Sequence, residues 1–210
     1  MANIFDLFKQ ISSGESQHTS PVEYIVVGLG NPGKDYENTR HNAGFLAIDY
    51  VAQQKGVKID RARFKALTSV VDICCKGVLL VKPQTYMNLS GDAVREAAGF
   101  YKVPAEKIIV ISDDLNLDVG RLRVRKSGSA GGQKGLNDII EKLGTDNIPR
   151  IRVGVGKKPH PDFDIKDWVL SNFTKSENEQ LANLYPRVLS GIEKIVCGDF
   201  DAAMQICNSK

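Results

Sequence analysis

His41 stands in the run Asn38-Thr39-Arg40-His41-Asn42-Ala43-Gly44-Phe45, which follows the apolar stretch Tyr24-Ile25-Val26-Val27-Gly28. An imidazole is the side chain best able to take up a proton near neutral pH. The chain has three histidines, and the other two, His18 and His160, lie in polar or proline-flanked stretches. General acid–base chemistry through an imidazole therefore falls to His41.

Between the apolar stretch and His41, Gly28-Leu29-Gly30-Asn31-Pro32-Gly33 matches G-x-G-x-x-G. After a strand, that pattern can cradle a pyrophosphate at the start of a helix. Its context here is wrong for a dinucleotide site. Lys34 to Arg40 carries no apolar helical stripe, and Gln53-Gln54-Lys55 stands where a second strand ending in an acid belongs. A nucleotide-dependent oxidoreductase is thus disfavoured. Two readings of the glycines stay open: a plain Asn-Pro-Gly turn, or a tight loop presenting the Asn31 amide at a strand's carboxyl end, where α/β sheets place their sites.

The elements that must position these residues follow from periodicity. Tyr24–Val27 reads as a buried strand, and Ala43–Gln54 as a helix closed by Gly56. Leu67–Ile73 and Val78–Val81 read as strands joined across Lys76-Gly77. Ser90–Tyr101 is a helix with Asn88 or Ser90 as N-cap. Ile108–Ile111 is a strand running into Asp113-Asp114. Leu122 and Val124 alternate with arginines, as in a strand with one wet face. Lys134–Leu143 is a helix, Ile151–Val155 a strand, and Glu177 to Ala203 mostly helix. Strands interleaved with helices predict a single α/β domain: a twisted mixed β-sheet flanked by helices, over residues 22–210. Residues 1–21 read as an extension, with a short amphipathic helix over Asn3–Ile11 and a flexible tether over Ser12–Pro21.

Composition narrows the class. Hydrophobic residues make up 42% of the 210 and charged residues 25%, as in an ordinary globular protein. The sequence has no apolar run of bilayer length and no signal-peptide core, which predicts a cytoplasmic protein without a membrane partner. Net charge is +3, so any nucleic-acid footprint must be local. Cys74, Cys75, Cys197 and Cys207 form no C-x-x-C pair, and buried reduced thiols are the expected reading rather than zinc or disulfides.

Several separated motifs, taken together, resemble the bacterial-type peptidyl-tRNA hydrolases. They are Gly28–Gly33, Tyr36, Thr39-Arg40-His41-Asn42, Lys82-Pro83-Gln84-Thr85-Tyr86-Met87-Asn88-Leu89-Ser90-Gly91, Asp113-Asp114 and Gly128-Ser129-Ala130-Gly131-Gly132. The likeness runs from about Val22 to the C-terminal helices. It implies hydrolysis of the ester joining a peptide to the terminal ribose of tRNA, without cofactor or metal, by a monomer. Carried over, His41 is the general base for water, and Asp113 holds the imidazole in its working tautomer. Asn31 and Asn88 bind the peptide backbone near the scissile carbonyl, and Tyr36, Met87 and Lys134 belong to the same substrate site. Neutral amides suit an arbitrary peptide, and a lost oxyanion hydrogen bond costs roughly 3–4 kcal/mol. The segment from Asp167 to Asn172, with the helices after it, resembles the family's C-terminal helical lid, and Trp168 there reads as a core anchor.

One departure stands out. The family's His-Asn pair after the Gly-Gly is replaced by Gln133-Lys134. Lys134 can donate hydrogen bonds but cannot accept as an amide does. Retained activity is expected, because His41, Asp113, Asn31 and Asn88 are all kept. The alternative is a catalytically weak RNA-binding protein of the same fold. On the RNA side, strand periodicity puts Arg121, Arg123 and Arg125 on one face, roughly 6.6–6.8 Å apart. Arg150 and Arg152 form a second such pair. By resemblance, Arg125 and Arg152 clamp the tRNA 5′-phosphate, a role that guanidiniums suit.

Overall fold

Tyr24–Gly28 is apolar and buried on both faces because it lies in the middle of the sheet. The computed structural model describes residues 20–209, so the expected helix and nearly all of the tether in residues 1–21 lie outside the described residues. In chain order the strands are β1 (Val22–Gly28), β2 (Arg61–Arg63), β3 (Ala66–Ile73), β4 (Lys76–Pro83), β5 (Ile108–Asp114), β6 (Leu122–Arg125) and β7 (Arg150–Gly154). They form one sheet in the order β2-β3-β4-β1-β5-β7-β6. The four inner strands β4, β1, β5 and β7 run parallel, and antiparallel pairs close both edges. The helices are α1 (Ala43–Gln54), α2 (Ser90–Tyr101), α3 (Lys134–Leu143), α4 (Ile165–Leu170), α5 (Lys175–Val196) and α6 (Phe200–Asn208).

Strand alternation sorts the core into two layers. Tyr24, Val26, Ile109 and Ile111 pack with α1, α5 and α6. Ile25, Val27, Ile108 and Val110 pack with α2 and α3. The expected α/β class and mixed sheet are what the chain forms. No helix of the described residues is long and apolar enough to cross a membrane.

The glycines of the first loop allow close packing. A Cβ on Gly28 would sit 2.4 Å from the Gly44 carbonyl oxygen, and one on Gly44 would sit 2.4 Å from the Leu29 nitrogen and the Ile111 oxygen. A Cβ on Gly30 would strike the Phe45 ring at 2.5 Å. The first turn of α1 is therefore pressed onto the ends of β1 and β5. The Phe45 amide donates to the Leu29 carbonyl at 3.1 Å, so it is not offered to a phosphate.

Three expectations need correction. The β3–β4 turn is Cys74-Cys75, both left-handed (φ 51° and 57°), with Ile73 paired to Lys76. Gly77 lies inside β4, because a side chain there would collide with the Pro21 carbonyl. Glu177 to Ala203 is mostly helix, as expected, with a break at Cys197–Asp199 around Gly198 at φ 90°. Neither Asn88 nor Ser90 caps α2. A 3-10 turn over Met87–Leu89 leads in, and the carboxylate of Asp138 on α3 accepts from the Gly91 amide at 2.7 Å. Finally, Cys74 and Cys197 form a disulfide across a Cα separation of 5.7 Å, leaving Cys75 and Cys207 as thiols. That separation is within ordinary disulfide range, but the two are 123 positions apart in sequence and no sequence pattern links them. Burial pushes the Cys207 thiol up to about 11, which leaves it unreactive at neutral pH.

Replacing Gly44 by Ala tests the crossing. Helix propensity alone would favour Ala by about 1 kcal/mol. The contact with backbone atoms instead predicts a loss of about 1–3 kcal/mol, read as a lower urea midpoint. An unchanged or raised midpoint would refute the close approach.

Candidate active site

The crossing of α1 over β1 and β5 delivers His41 to the carboxyl edge of the sheet. His41 sits in a 3-10 turn, Arg40–Asn42, that runs straight into α1. Asp113 and Asp114 end β5 and are both about 5% exposed, but alternation sends them opposite ways. Asp113 Oδ2 lies 2.9 Å from His41 Nδ1. Asp114 turns to Arg152, whose Nε donates at 3.0 Å, and to the Asn116 amide at 2.9 Å. Of the two adjacent acids, only Asp113 faces the imidazole.

An ionised carboxylate only accepts hydrogen bonds, so the ring nitrogen facing it is the N–H. That leaves the Nε2 lone pair free. The His41 side chain is 13% exposed and lines a cleft of about 1140 Å³.

Gln133 is the functional neighbour that residue patterns missed. Its Nε2 donates to Asp113 Oδ1 at 3.0 Å, while its Oε1 caps α3 by accepting from the Leu136 amide at 2.6 Å. The cap fixes which end of the amide meets Asp113, and so the carboxylate is held on both oxygens. The available signal was a side chain with amide chemistry directly before a helix and directly after Gly131-Gly132.

The side chains of Asn31 and Asn88 both line the cleft. Asn31 is buried, and its Oδ1 accepts from the Met87 amide at 2.8 Å. Its backbone exchanges two hydrogen bonds with the Asn42 side chain, at 2.8 and 3.0 Å. With Oδ1 occupied, its NH2 is the group left to face the cleft. Asn88 and Lys134 are exposed; both line the cleft and a side pocket that branches from it. Half-buried Tyr36 lines the cleft from the turn Lys34–Tyr36. Met87 is buried beneath the start of α3, with its Sδ 3.1 Å from Gln133 Nε2. The far wall comes from α4 through Ile165, Val169 and Leu170, and basic residues Lys157, Lys158, Lys166 and Arg152 complete the rim.

The two phosphate candidates stand apart. Arg152 reaches the cleft, whereas Arg125 is exposed on β6 and does not line it. The register sets Arg123 opposite Arg152 and Arg125 opposite Arg150. Arg125 and Arg152 are thus diagonal neighbours on one face, about 7–8 Å apart. Arg150 is structural: it is buried and donates to the carbonyls of Gly128, Asp146 and Ile148. Burial pulls its pKa below the ordinary value despite nearby Asp146. Among the described residues, no three His, Cys, Asp or Glu side chains converge as a metal site would need.

Known proteins share this fold. The family model described as peptidyl-tRNA hydrolase matches residues 25–210. The chain belongs to the peptidyl-tRNA hydrolase family. The peptidyl-tRNA hydrolase of Caldicellulosiruptor bescii is 47% identical over 187 residues, covering 89% of this chain and 97% of that protein. That of Clostridium botulinum strain Alaska E43 is 48% identical over 185 residues, covering 88% and 95%. The crystal structure of the peptidyl-tRNA hydrolase of Acinetobacter baumannii superposes with a TM-score of 0.84 at 31% identity, covering 90% of this chain and 96% of that one. A peptidyl-tRNA hydrolase complexed with N-propanol gives 0.83 at 30% identity, covering 93% and 98%.

Within the family fold, Gln133→Ala would remove an N-cap worth about 1 kcal/mol and leave a buried carboxylate oxygen unpaired, at about 1–3 kcal/mol. A urea-denaturation loss of about 1–3 kcal/mol is the expected result, and a change within about 0.5 kcal/mol would show that the bridge contributes nothing.

Proposed function

We propose that this chain hydrolyses the ester between peptide and tRNA in peptidyl-tRNA, with water activated by the His41–Asp113 pair, and so returns tRNA from stalled translation. The observation that carries this reading is the 2.9 Å contact between His41 Nδ1 and Asp113 at the floor of an amide-lined cleft. Family membership supports the reaction class.

The chemistry follows from the geometry. His41 Nε2 takes a proton from water as the oxygen attacks the ester carbonyl carbon. Asp113 stabilises the imidazolium so formed. The carbonyl oxygen becomes an oxyanion, to which the NH2 groups of Asn31 and Asn88 and the Lys134 ammonium can donate. Collapse breaks the bond to the ribose oxygen, and the imidazolium returns its proton to that leaving group. Tyr36 and Met87 shape the surface around the acyl group. Because both amides bind backbone groups, peptide sequence matters little.

On the RNA side, Arg152 has its Nε held by Asp114, which leaves its terminal nitrogens for phosphate, with Arg125 further along the same face. The enzyme works in the cytoplasm as a monomer, residues 22–210 forming the catalytic domain, and it uses no cofactor or metal.

Release of tRNA from an N-blocked aminoacyl-tRNA tests the reading. His41→Ala should abolish turnover. Asp113→Asn should lower kcat by about 10⁴, as expected when an imidazole is held in the wrong tautomer, while tRNA affinity stays nearly unchanged. Equal losses of affinity and turnover would overturn the Asp113 role. A parent without turnover that gains it on Lys134→Asn would point instead to a catalytically weak RNA-binding relative.

Phosphate binding has its own signature. Arg152→Ala should weaken tRNA binding across sequences and reduce the slope of log affinity against log salt by about one. An unaltered slope would remove Arg152 from the phosphate contacts.

A further inference from the structure

The residue before His41 is a buried arginine, 3% exposed, whose engagements all lead one way. Four of the five N–H groups of Arg40 are taken. Nη1 donates to the Val155 carbonyl and to Glu177 Oε1, and Nη2 to Glu177 Oε2, each at 2.9 Å. Nε donates to Ser171 Oγ at 3.2 Å. The guanidinium carbon lies 3.8 Å from the centre of the Trp168 ring and 5.0 Å from that of Phe173. Every partner belongs to the stretch that leaves β7, forms α4 and enters α5.

Backbone contacts follow the same seam. The Arg40 amide donates to the Ser171 carbonyl at 3.0 Å, the Phe173 amide donates to the Asn38 carbonyl at 3.4 Å, and Thr39 pairs with Asn172. The stretch so attached is also the cleft wall that carries Ile165, Val169 and Leu170. One buried cation therefore joins the wall of the substrate cleft to the turn that bears His41.

A buried guanidinium tolerates no half-made arrangement, since each lost partner leaves a desolvated donor behind. Glu177 is kept ionised for it. Burial would raise that carboxyl, but the hydrogen bonds from Arg40 and the Thr174 amide hold it below its ordinary value. Displacing α4 thus either breaks the whole set or drags Arg40, and the adjacent imidazole, with it.

We propose that Arg40 is a positioning residue that couples the α4 wall to His41, so that the imidazole meets the scissile ester correctly only while that wall is seated. Arg40 touches no reacting atom. The coupling rests on His41 being the base.

Trp168 is the chain's one tryptophan, and its stacking on Arg40 makes its emission a direct report on the wall. The test is Arg40→Lys, which keeps the charge and loses the fork, assayed by tRNA release well below its unfolding midpoint. The expected result is a shifted Trp168 emission together with a kcat lowered on the order of 10- to 100-fold, as small misplacements of a reacting group produce. kcat/KM should fall by the same factor, and well below the midpoint, where the unfolded fraction is small, a loss of stability alone does not give a drop of that size. Shifted emission with parental kcat and KM would overturn the coupling. If Arg40→Lys does not fold, Glu177→Gln is read in the same way, because it keeps an oxygen for the Thr174 amide and for Arg40 Nη2 while removing the charge and the acceptor that faces Arg40 Nη1. His41→Ala assayed in parallel separates the two claims. Turnover surviving His41→Ala overturns the base, whereas turnover lost there but untouched in Arg40→Lys overturns the coupling alone.

Discussion

The approach of α1 to the ends of β1 and β5 is the constraint on which the site depends. Two glycines make it possible: Gly28 on the strand and Gly44 on the helix, each with backbone atoms 2.4 Å from where a Cβ would stand. At that distance the turn ahead of the helix overhangs the end of β5, and His41 meets Asp113. A helix held off by one methyl group on each side would carry the imidazole out of hydrogen-bond range, because a carboxylate contact tolerates only a few tenths of an ångström. The same crossing brings Asn42 against the backbone of Asn31. Base and substrate amide thus share one scaffold.

Asp113 and Asn31 are each fixed from two sides. Asp113 has one oxygen on His41 and the other on Gln133, and Gln133 is itself oriented by the N-terminus of α3. Asn31 is held through its side-chain oxygen and both backbone groups. Such duplication is what lets buried polar atoms keep one orientation rather than several. It also shows what position 133 requires. The demand there is for one donor to a carboxylate and one acceptor for a helix amide, and a primary amide supplies both without titrating.

Much of this was legible because it is local. Strand and helix periodicities located nearly every element, and Gly56 closes α1 as its type suggests, at φ 69°. The failed dinucleotide reading of the glycine loop was also legible, from the missing helical stripe after Gly33. What was not legible depends on partners distant in sequence. Gly77 looked like a turn residue, but its small size answers to Pro21, more than fifty residues earlier in the chain. The cap of α2 comes from Asp138 on another helix. Arg150 and Arg152 share a face, yet one is consumed by backbone carbonyls and the other reaches the cleft. Alternation predicts the face and says nothing of what the face meets. The pair Asp113-Asp114 shows the converse: once β5 has neighbours, alternation alone separates the acid for His41 from the acid for Arg152.

The distribution of charge around the cleft suits a substrate with two unlike halves. On the reading proposed above, the reacting carbonyl meets the neutral amides of Asn31 and Asn88, the Lys134 ammonium and a single imidazole, none of which selects among peptide side chains. Exposed Tyr86 and Ile165 on the lips offer apolar surface. Beyond them the rim is basic, through Arg152, Lys157, Lys158 and Lys166. A peptide of any sequence lacks the regular negative charge that such a rim attracts, whereas an RNA strand supplies it at every nucleotide. Binding strength can therefore come from the nucleic acid while the chemistry stays indifferent to the peptide. That division also keeps the Arg152 guanidinium off the carboxylate that faces His41. A guanidinium at the distance of Asp113 would disfavour the imidazolium on which proton return depends. The structure instead gives Asp114 the task of holding Arg152, one residue on and facing the other way.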